Sequence, residues 1–139
     1  MKLNKNTKII GLVMLPILLA AVVFVLFFSV QTPKISVEPT SFDFGFVEKE
    51  KGTANHEFEV KNIGNADLEI LTTSTSCGCT TARLGKNILK PGESTSLTVS
   101  FDPNFHKEPE GSFERVVYIK SNDPENKEIE VTIFVKGII

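Results

Sequence analysis

The sequence predicts an all-β, antiparallel sandwich that follows one N-terminal transmembrane helix. Residues 9–30 contain no charged side chain. After them, apolar residues recur at every second position in short segments, which is the periodicity of half-buried strands. Polar turns separate these segments at intervals of about 8–15 residues, as in sandwich domains. Together these observations favour an immunoglobulin-like arrangement of about seven strands.

Residues 9–30 are predicted to be a retained signal anchor. A helix of this length spans roughly 30 Å of hydrocarbon. The alternative is a cleaved signal peptide, but its apolar region covers only about 7–15 residues and ends at a small-x-small site, which residues 29–33 lack. No cysteine lies near the run, which excludes a lipoprotein.

The charges beside this run predict its orientation. Lys2, Lys5 and Lys8 precede it without an acidic neighbour, so the positive-inside rule places residues 1–8 in the cytoplasm. Residues 31–36 are then a short linker, and residues 37–139 form the folded domain. We expect a single-pass protein of the cell membrane whose C-terminal domain is periplasmic or extracellular.

The composition disfavours nucleic acid as a partner. Three of the 15 Lys and Arg residues precede the anchor, which leaves 12 against 17 Asp and Glu, a formal charge of −5. A nucleic-acid-binding domain needs a basic surface. The roughly 105 residues after the anchor are enough for one domain with one hydrophobic core.

The first half of this domain reads as three strands and two turns. In residues 42–46 Phe alternates with other residues, so three phenylalanines are expected on one face. Residues 48–52 and 62–65 are predicted turns. Residues 56–61 and 68–72 are predicted strands, with strand-compatible residues continuing to position 76.

The second half continues the pattern. Residues 80–84, 97–101, 113–120 and 128–135 are predicted strands. Two prolines and three acids keep residues 102–111 out of a sheet and make them the longest connection. The apolar positions of all strands predict a core made of Phe44, Phe58, Val60, Leu68, Ile70, Val99, Phe101, Val117, Ile119, Val131 and Ile133.

Several short motifs lie in order along residues 43–137: Asp43-Phe44-Gly45, Asn62, Gly64, Leu68, Ile70, Ser76-Cys77-Gly78-Cys79-Thr80, Pro91-Gly92, Phe101, Gly111, Phe113, Ser121-Asn122-Asp123 and Gly137. Together they resemble a bacterial domain family of unknown function that is marked by Ser-Cys-Gly-Cys-Thr. That family is similar to the immunoglobulin-like domains of Hydin and abnormal-spindle proteins, and more distantly to the major sperm protein fold. The resemblance covers roughly residues 37–137 and implies a seven-stranded sandwich, an exported or membrane-anchored location and no established reaction.

Cys77 and Cys79 are the two cysteines of the chain, and three interpretations of them remain open. Two thiolates can bind Cu(I) or supply half of a zinc site. His56 and His106 are the histidines available as further ligands, but both are expected to be surface side chains. A metal site is therefore the alternative and not the main prediction.

The second interpretation is redox chemistry, because exported thiols tend to be oxidised. A Cys77–Cys79 disulfide closes a small ring across Gly78, and small strained rings exchange readily. No basic residue adjoins the pair, although Arg83 follows four residues after Cys79. The third interpretation is structural: Ser76–Thr80 forms a tight element between two strands, in which the cysteines are either linked to each other or buried as thiols.

The remaining residues predict no catalysis and no cofactor. The sequence contains no Gly-rich phosphate loop, and its serines lack a nucleophile-elbow context. The leading hypothesis is a non-enzymatic protein-interaction or scaffold domain, anchored through residues 9–30, that offers a sheet edge or a loop to an unknown protein partner. The alternative is a thiol-dependent protein that uses Cys77 and Cys79 for Cu or Zn binding or for disulfide exchange.

Overall fold

The computed structural model describes residues 15–20, 22 and 31–139. Two compact units cover residues 1–30 and 31–139. In the first unit the described residues are helical. Most of the predicted membrane segment 9–30, and all of residues 1–8, lie outside the described residues. Within the described part of the chain, no helix has the length and hydropathy needed to cross a bilayer.

The second unit is a β sandwich, as the alternating sequence predicts. Its described residues form eleven strands and one short 3-10 helix, Lys49–Lys51. The strands are β1 Ile35–Glu38, β2 Ser41–Asp43, β3 Phe46–Val47, β4 Ala54–Asn62, β5 Leu68–Thr75, β6 Thr80–Leu84, β7 Ile88–Leu89, β8 Ser94–Phe101, β9 Phe113–Ser121, β10 Glu128–Val135 and β11 Gly137–Ile138.

Two main sheets make the sandwich. One has the strand order β1-β4-β8-β6 and the other β2-β10-β9-β5-β7, while β11 and β3 pair separately. Most pairs are antiparallel, but β2 lies parallel to β10 and β3 parallel to β11. Seven strands have four or more residues, which equals the predicted number, but this set includes β1 and not the predicted strand 42–46. The other four are two or three residues long: β2 and β3 divide the predicted strand 42–46, and β7 and β11 are too short to show a period in the sequence.

The core lies between the two sheets and agrees closely with the sequence. Every residue predicted to be in the core is buried except Phe44, which is half-buried and packs against the core. Ile35, Val37, Val47, Leu89, Leu97, Val135 and Cys79 are also buried. Ile35 opens β1, so the segment predicted as a linker contains the first two residues of a strand.

The prediction that three phenylalanines share one face is wrong at Phe46. Gly45 has φ +67°, a conformation in which glycine is favoured. The chain turns there, and β2 ends before β3 begins. Phe42 and Phe44 therefore pack edge to face at 5.1 Å between ring centroids, whereas Phe46 is 64% exposed.

Candidate functional site

The Ser76–Thr80 motif forms the connection between β5 and β6, which belong to different sheets. The amide of Thr80 donates a hydrogen bond to the Cys77 carbonyl at 3.1 Å and closes a tight turn. Thr75 Oγ1 lies 2.9 Å from the carbonyl oxygens of both Cys77 and Thr80. Ser76 exchanges hydrogen bonds with Val116 through its amide and its hydroxyl, and so prolongs the pairing of β5 with β9.

Cys77 and Cys79 are joined by a disulfide within this turn, with their Cα atoms 5.2 Å apart. The two sulfurs differ in exposure, because Cys79 is buried in the core and Cys77 is half-buried. The Cys79 amide also donates a hydrogen bond to Cys77 Sγ at 3.1 Å. A reagent from solvent therefore reaches Cys77 before Cys79.

The connection between β8 and β9 covers the disulfide. The register that places Phe101 opposite Thr80 brings the start of this connection beside the turn, and the Asp102 amide donates to the Cys79 carbonyl at 2.8 Å. The Phe105 ring lies over Gly78, where a Cβ would come within 2.9 Å of Phe105 Cζ. His106 Nε2 then lies 3.3 Å from Cys77 Sγ.

An ion pair lies beside the second sulfur. Arg115, from β9, donates from Nε to Cys79 Sγ at 3.3 Å. Its Nη2 pairs with Oε2 of Glu108, whose side chain is only 2% exposed. Arg115 also stacks over the Phe113 ring at 4.5 Å from the ring centroid. These contacts fix the guanidinium between the carboxylate and the buried sulfur.

The site therefore contains four side chains with metal-binding atoms. One such atom from each of Cys77, Cys79, His106 and Glu108 lies within 4.8 Å of all the others. Arg115 adds a positive charge beside them. This set can stabilise thiolates, and once the disulfide is reduced it offers sulfur, nitrogen and oxygen ligands together.

Only part of this site is visible in the sequence. The two motif cysteines lie one residue apart in the sequence, but His106, Glu108 and Arg115 join them from 27 or more positions away, since 106 − 79 is 27. One available signal is Arg115 itself, a charge inside the apolar strand segment 113–120. Arg83 is not among the residues that contact the disulfide in the described structure.

The expected surface position of His56 is wrong. Its ring faces the sandwich interior on the same side of β4 as Phe58. It stacks on Phe42 at 3.5 Å between ring centroids, and it meets Phe58 edge to face at 4.7 Å. His56 occupies the inward position because the alternation of β4 runs through Phe58 and Val60, two and four residues later.

Several solved structures share this fold. A protein of unknown function from Porphyromonas gingivalis W83 matches with 26% identity and a TM-score of 0.68, covering 76% of this chain and 47% of its own. The PapD-like domain 7 of human CEP192 matches with 12% identity and a TM-score of 0.56, covering 77% and 87%. The YadV chaperone matches with 11% identity and a TM-score of 0.54, covering 74% and 51%.

This chain thus spans less than half of the Porphyromonas protein. No curated protein matches it in sequence. The family model described as "Protein of unknown function (DUF1573)" matches residues 35–137, nearly the range over which the sequence motifs resemble a bacterial immunoglobulin-like family. The resemblance is confirmed: the chain belongs to the DUF1573 family.

Proposed function

We propose that the domain is a non-enzymatic protein-interaction module that binds a partner strand along the outer edge of β6. The fold supports protein binding in general, because it is shared with a PapD-like domain and with a protein named as a chaperone. An exposed strand edge is a template for a strand from another protein, since its N–H and C=O groups lack a neighbour.

The observation that carries this proposal is the position of β6 at the end of its sheet. Among the described sheet edges, β6 is the longest, with five residues. β1, at the other end of the same sheet, has four residues and lies between Pro33 and Pro39. Prolines beside an edge strand oppose the addition of another strand. The edges β2 and β7 have only three and two residues.

The hydrogen bonds of β6 show which backbone groups face outward. The Asp102 amide donates to the Cys79 carbonyl at 2.8 Å, and the Gly85 amide donates to the Ser96 carbonyl at 2.9 Å. Hydrogen-bonded pairs alternate along an antiparallel ladder. Thr81 and Arg83 therefore bond to β8, while Ala82 and Leu84 direct their N–H and C=O groups away from it. An added strand would pair with these two residues.

Site-specific photo-cross-linking tests the location of binding. A photo-reactive phenylalanine in place of Arg83, exposed on β6, should give a discrete protein adduct in the cells that produce the chain. The same probe in place of Glu57 is the control, because Glu57 is exposed on β4 in the middle of the sheet. Absence of an adduct at position 83, or equal adducts at both positions, would contradict edge binding.

A second candidate function is thiol–disulfide exchange, and the contact of Arg115 with Cys79 favours it. An incoming thiolate would attack the more exposed Cys77 Sγ and form a mixed disulfide, and the electron pair of the broken bond would leave on Cys79 Sγ. The guanidinium stabilises that thiolate. The buried position of Cys79 favours attack at Cys77 over attack at Cys79.

The two cysteine variants separate this candidate from the interaction module. With exchange, the free Cys77 thiolate of Cys79→Ser should attack a disulfide of the oxidised partner, form a mixed disulfide with one partner cysteine and release the other as a thiolate. This mixed disulfide should accumulate, because the Cys79 thiol that would resolve it is missing. Cys77→Ser should accumulate none. If neither variant forms a mixed disulfide and both retain the adduct at position 83, exchange is excluded and the interaction module stands.

The remaining part of the proposal is location. We propose that residues 9–30 anchor the chain and that the domain lies outside the cytoplasm, on the basis of the uncharged run and the lysines before it. The test uses cells whose cell membrane is intact and whose outer barrier has been made permeable. Protease added to them should digest residues 35–139. Recovery of a soluble protein that begins near Thr32 would instead indicate a cleaved signal peptide.

A further inference from the structure

We propose that the reduced form of this site binds one Zn²⁺ ion through Cys77, Cys79, His106 and Glu108. The reduction needs a dithiol, which gives two electrons and two protons to the Cys77–Cys79 bond and itself becomes a disulfide. Zinc then displaces the two thiol protons and bonds both sulfurs. This site goes beyond the proposed protein-interaction function and does not depend on it.

The distances fit a tetrahedral zinc ion. Ligand atoms about 2.0–2.3 Å from zinc lie about 3.3–3.8 Å from one another in a tetrahedron. The four donor atoms here lie within 4.8 Å of one another while the two sulfurs are still bonded. Breaking that bond lets the sulfurs separate toward the tetrahedral distance, and the nitrogen and oxygen need to move by only about an ångström.

His106 is oriented as a ligand. Its Nδ1 lies 3.2 Å from the Lys107 carbonyl oxygen, which can only accept a hydrogen bond. Nδ1 therefore carries the proton in the neutral ring, and the lone pair is on Nε2, 3.3 Å from Cys77 Sγ. A backbone carbonyl that holds the other ring nitrogen is the usual support of a zinc-binding histidine.

Glu108 provides an independent indication that this site suits a cation. Its side chain is 98% buried, because only 2% of it is exposed. Arg115 holds Oε2, whereas Oε1 is buried and makes no hydrogen bond among the described residues. His106 Nδ1 lies 3.6 Å from Oε1, which is beyond hydrogen-bond distance. A buried carboxylate oxygen without a partner is costly, and a metal ion would satisfy it.

The charges and ligand types favour zinc over Cu(I). Two thiolates and one carboxylate give −3, so a divalent ion leaves −1, and Arg115 beside Cys79 neutralises the remainder. Low net charge matters because Cys79 and Glu108 are buried. Thiolates suit both metals, but a hard carboxylate ligand suits zinc and not Cu(I).

Cobalt substitution tests the site in the full chain purified in detergent. The protein is reduced with excess dithiothreitol, desalted without oxygen and titrated with Co²⁺. We expect one Co²⁺ per chain, with thiolate charge-transfer bands and the intense visible bands of tetrahedral cobalt, and we expect Zn²⁺ to bleach them. The untreated disulfide form should show none of these bands.

Matched variants identify the ligands. His106→Gln and Glu108→Gln should each weaken Zn²⁺ binding at least about 10-fold. Loss of a residue that only supports a metal ligand already lowers metal affinity by about 10-fold, and loss of a ligand itself should cost no less. Glu110→Gln is the control, since Glu110 is an exposed acid of the same loop. His106 is itself 43% exposed, so its variant should fold. Binding that is equal in the reduced and disulfide forms, or unchanged by His106→Gln, would overturn the proposal.

Discussion

Two buried polar residues, Asn62 and Asp123, hold separate segments of the domain together through side-chain hydrogen bonds. Asn62 Nδ2 donates to the carbonyls of Ala66 and Leu89 at 2.7 and 2.9 Å. Asp123 Oδ2 accepts from the Ile35 amide at 3.0 Å. Burial by itself raises the pKa of Asp123, but amide hydrogen bonds from Ile35, Asn126 and Glu125 outweigh it and hold the pKa below its usual range.

Asp123→Asn should lower the free energy of unfolding by about 1–3 kcal/mol at neutral pH, because one amide-facing oxygen becomes an NH₂ group and a buried donor loses its acceptor. A depressed pKa stabilises the fold above the unfolded value of about 3.9, and this stabilisation is lost as the pH falls through the folded value. Urea unfolding at several pH values should show the two proteins converging below about pH 4. A constant difference at every pH would contradict this account.

Gly64 and Gly78 both lack space for a Cβ, but the atoms that an alanine methyl group would contact differ between them. A Cβ at Gly64 would lie 2.4 Å from the Thr32 carbonyl oxygen, whereas a Cβ at Gly78 would meet the Phe105 ring. Backbone moves less easily than the ring of Phe105, a side chain that is 57% exposed. Gly64→Ala should therefore cost about 1–3 kcal/mol and Gly78→Ala clearly less. Thermal unfolding of both variants measures this order, and a larger loss for Gly78→Ala would contradict it.

At the scale of elements, β8 joins the core to the site. Its inward residues Leu97, Val99 and Phe101 are fully buried, and the connection that follows it covers the disulfide. Phe101 packs on Phe113, with their ring centroids 5.8 Å apart. The core residues of this strand therefore also position the start of the loop that carries His106.

Phe101→Ala should destabilise the domain by about 3–5 kcal/mol, because it removes a fully buried ring and leaves a cavity. Thr98→Ala, on the outer face of the same strand, is the control and should change stability by no more than about 0.5 kcal/mol. Denaturant unfolding compares the two. Equal effects would mean that the ring does not belong to the core.

The long strands could be predicted from the sequence and the short ones could not. β8, β9 and β10 each carry several alternating apolar residues, and their positions follow from that period. β7 and β11 contain two residues each, so their existence depends on neighbouring backbone and not on a local pattern. The position of Phe46 likewise depends on the turn at Gly45.

For the whole molecule, the fold brings together chemistry that the sequence keeps apart. The Cys77–Cys79 turn was predictable because its residues are consecutive. His106, Glu108 and Arg115 reach it only through the pairing of β6 with β8 and of β5 with β9. A single sequence does not specify such pairings, so the cysteines were assigned without their partners.

The central claim is that β6 binds a partner through its backbone, and the most direct test removes one outward-facing N–H group. Ala82→Pro eliminates an amide that faces away from β8 and leaves the neighbouring pairs of the ladder intact, a change that edge strands tolerate. Thr81→Ala keeps all backbone donors and is the matched control. The measured quantity is the yield of the photo-adduct at position 83. We expect Ala82→Pro to abolish it and Thr81→Ala to retain it; an undiminished adduct in folded Ala82→Pro protein would contradict strand addition at β6.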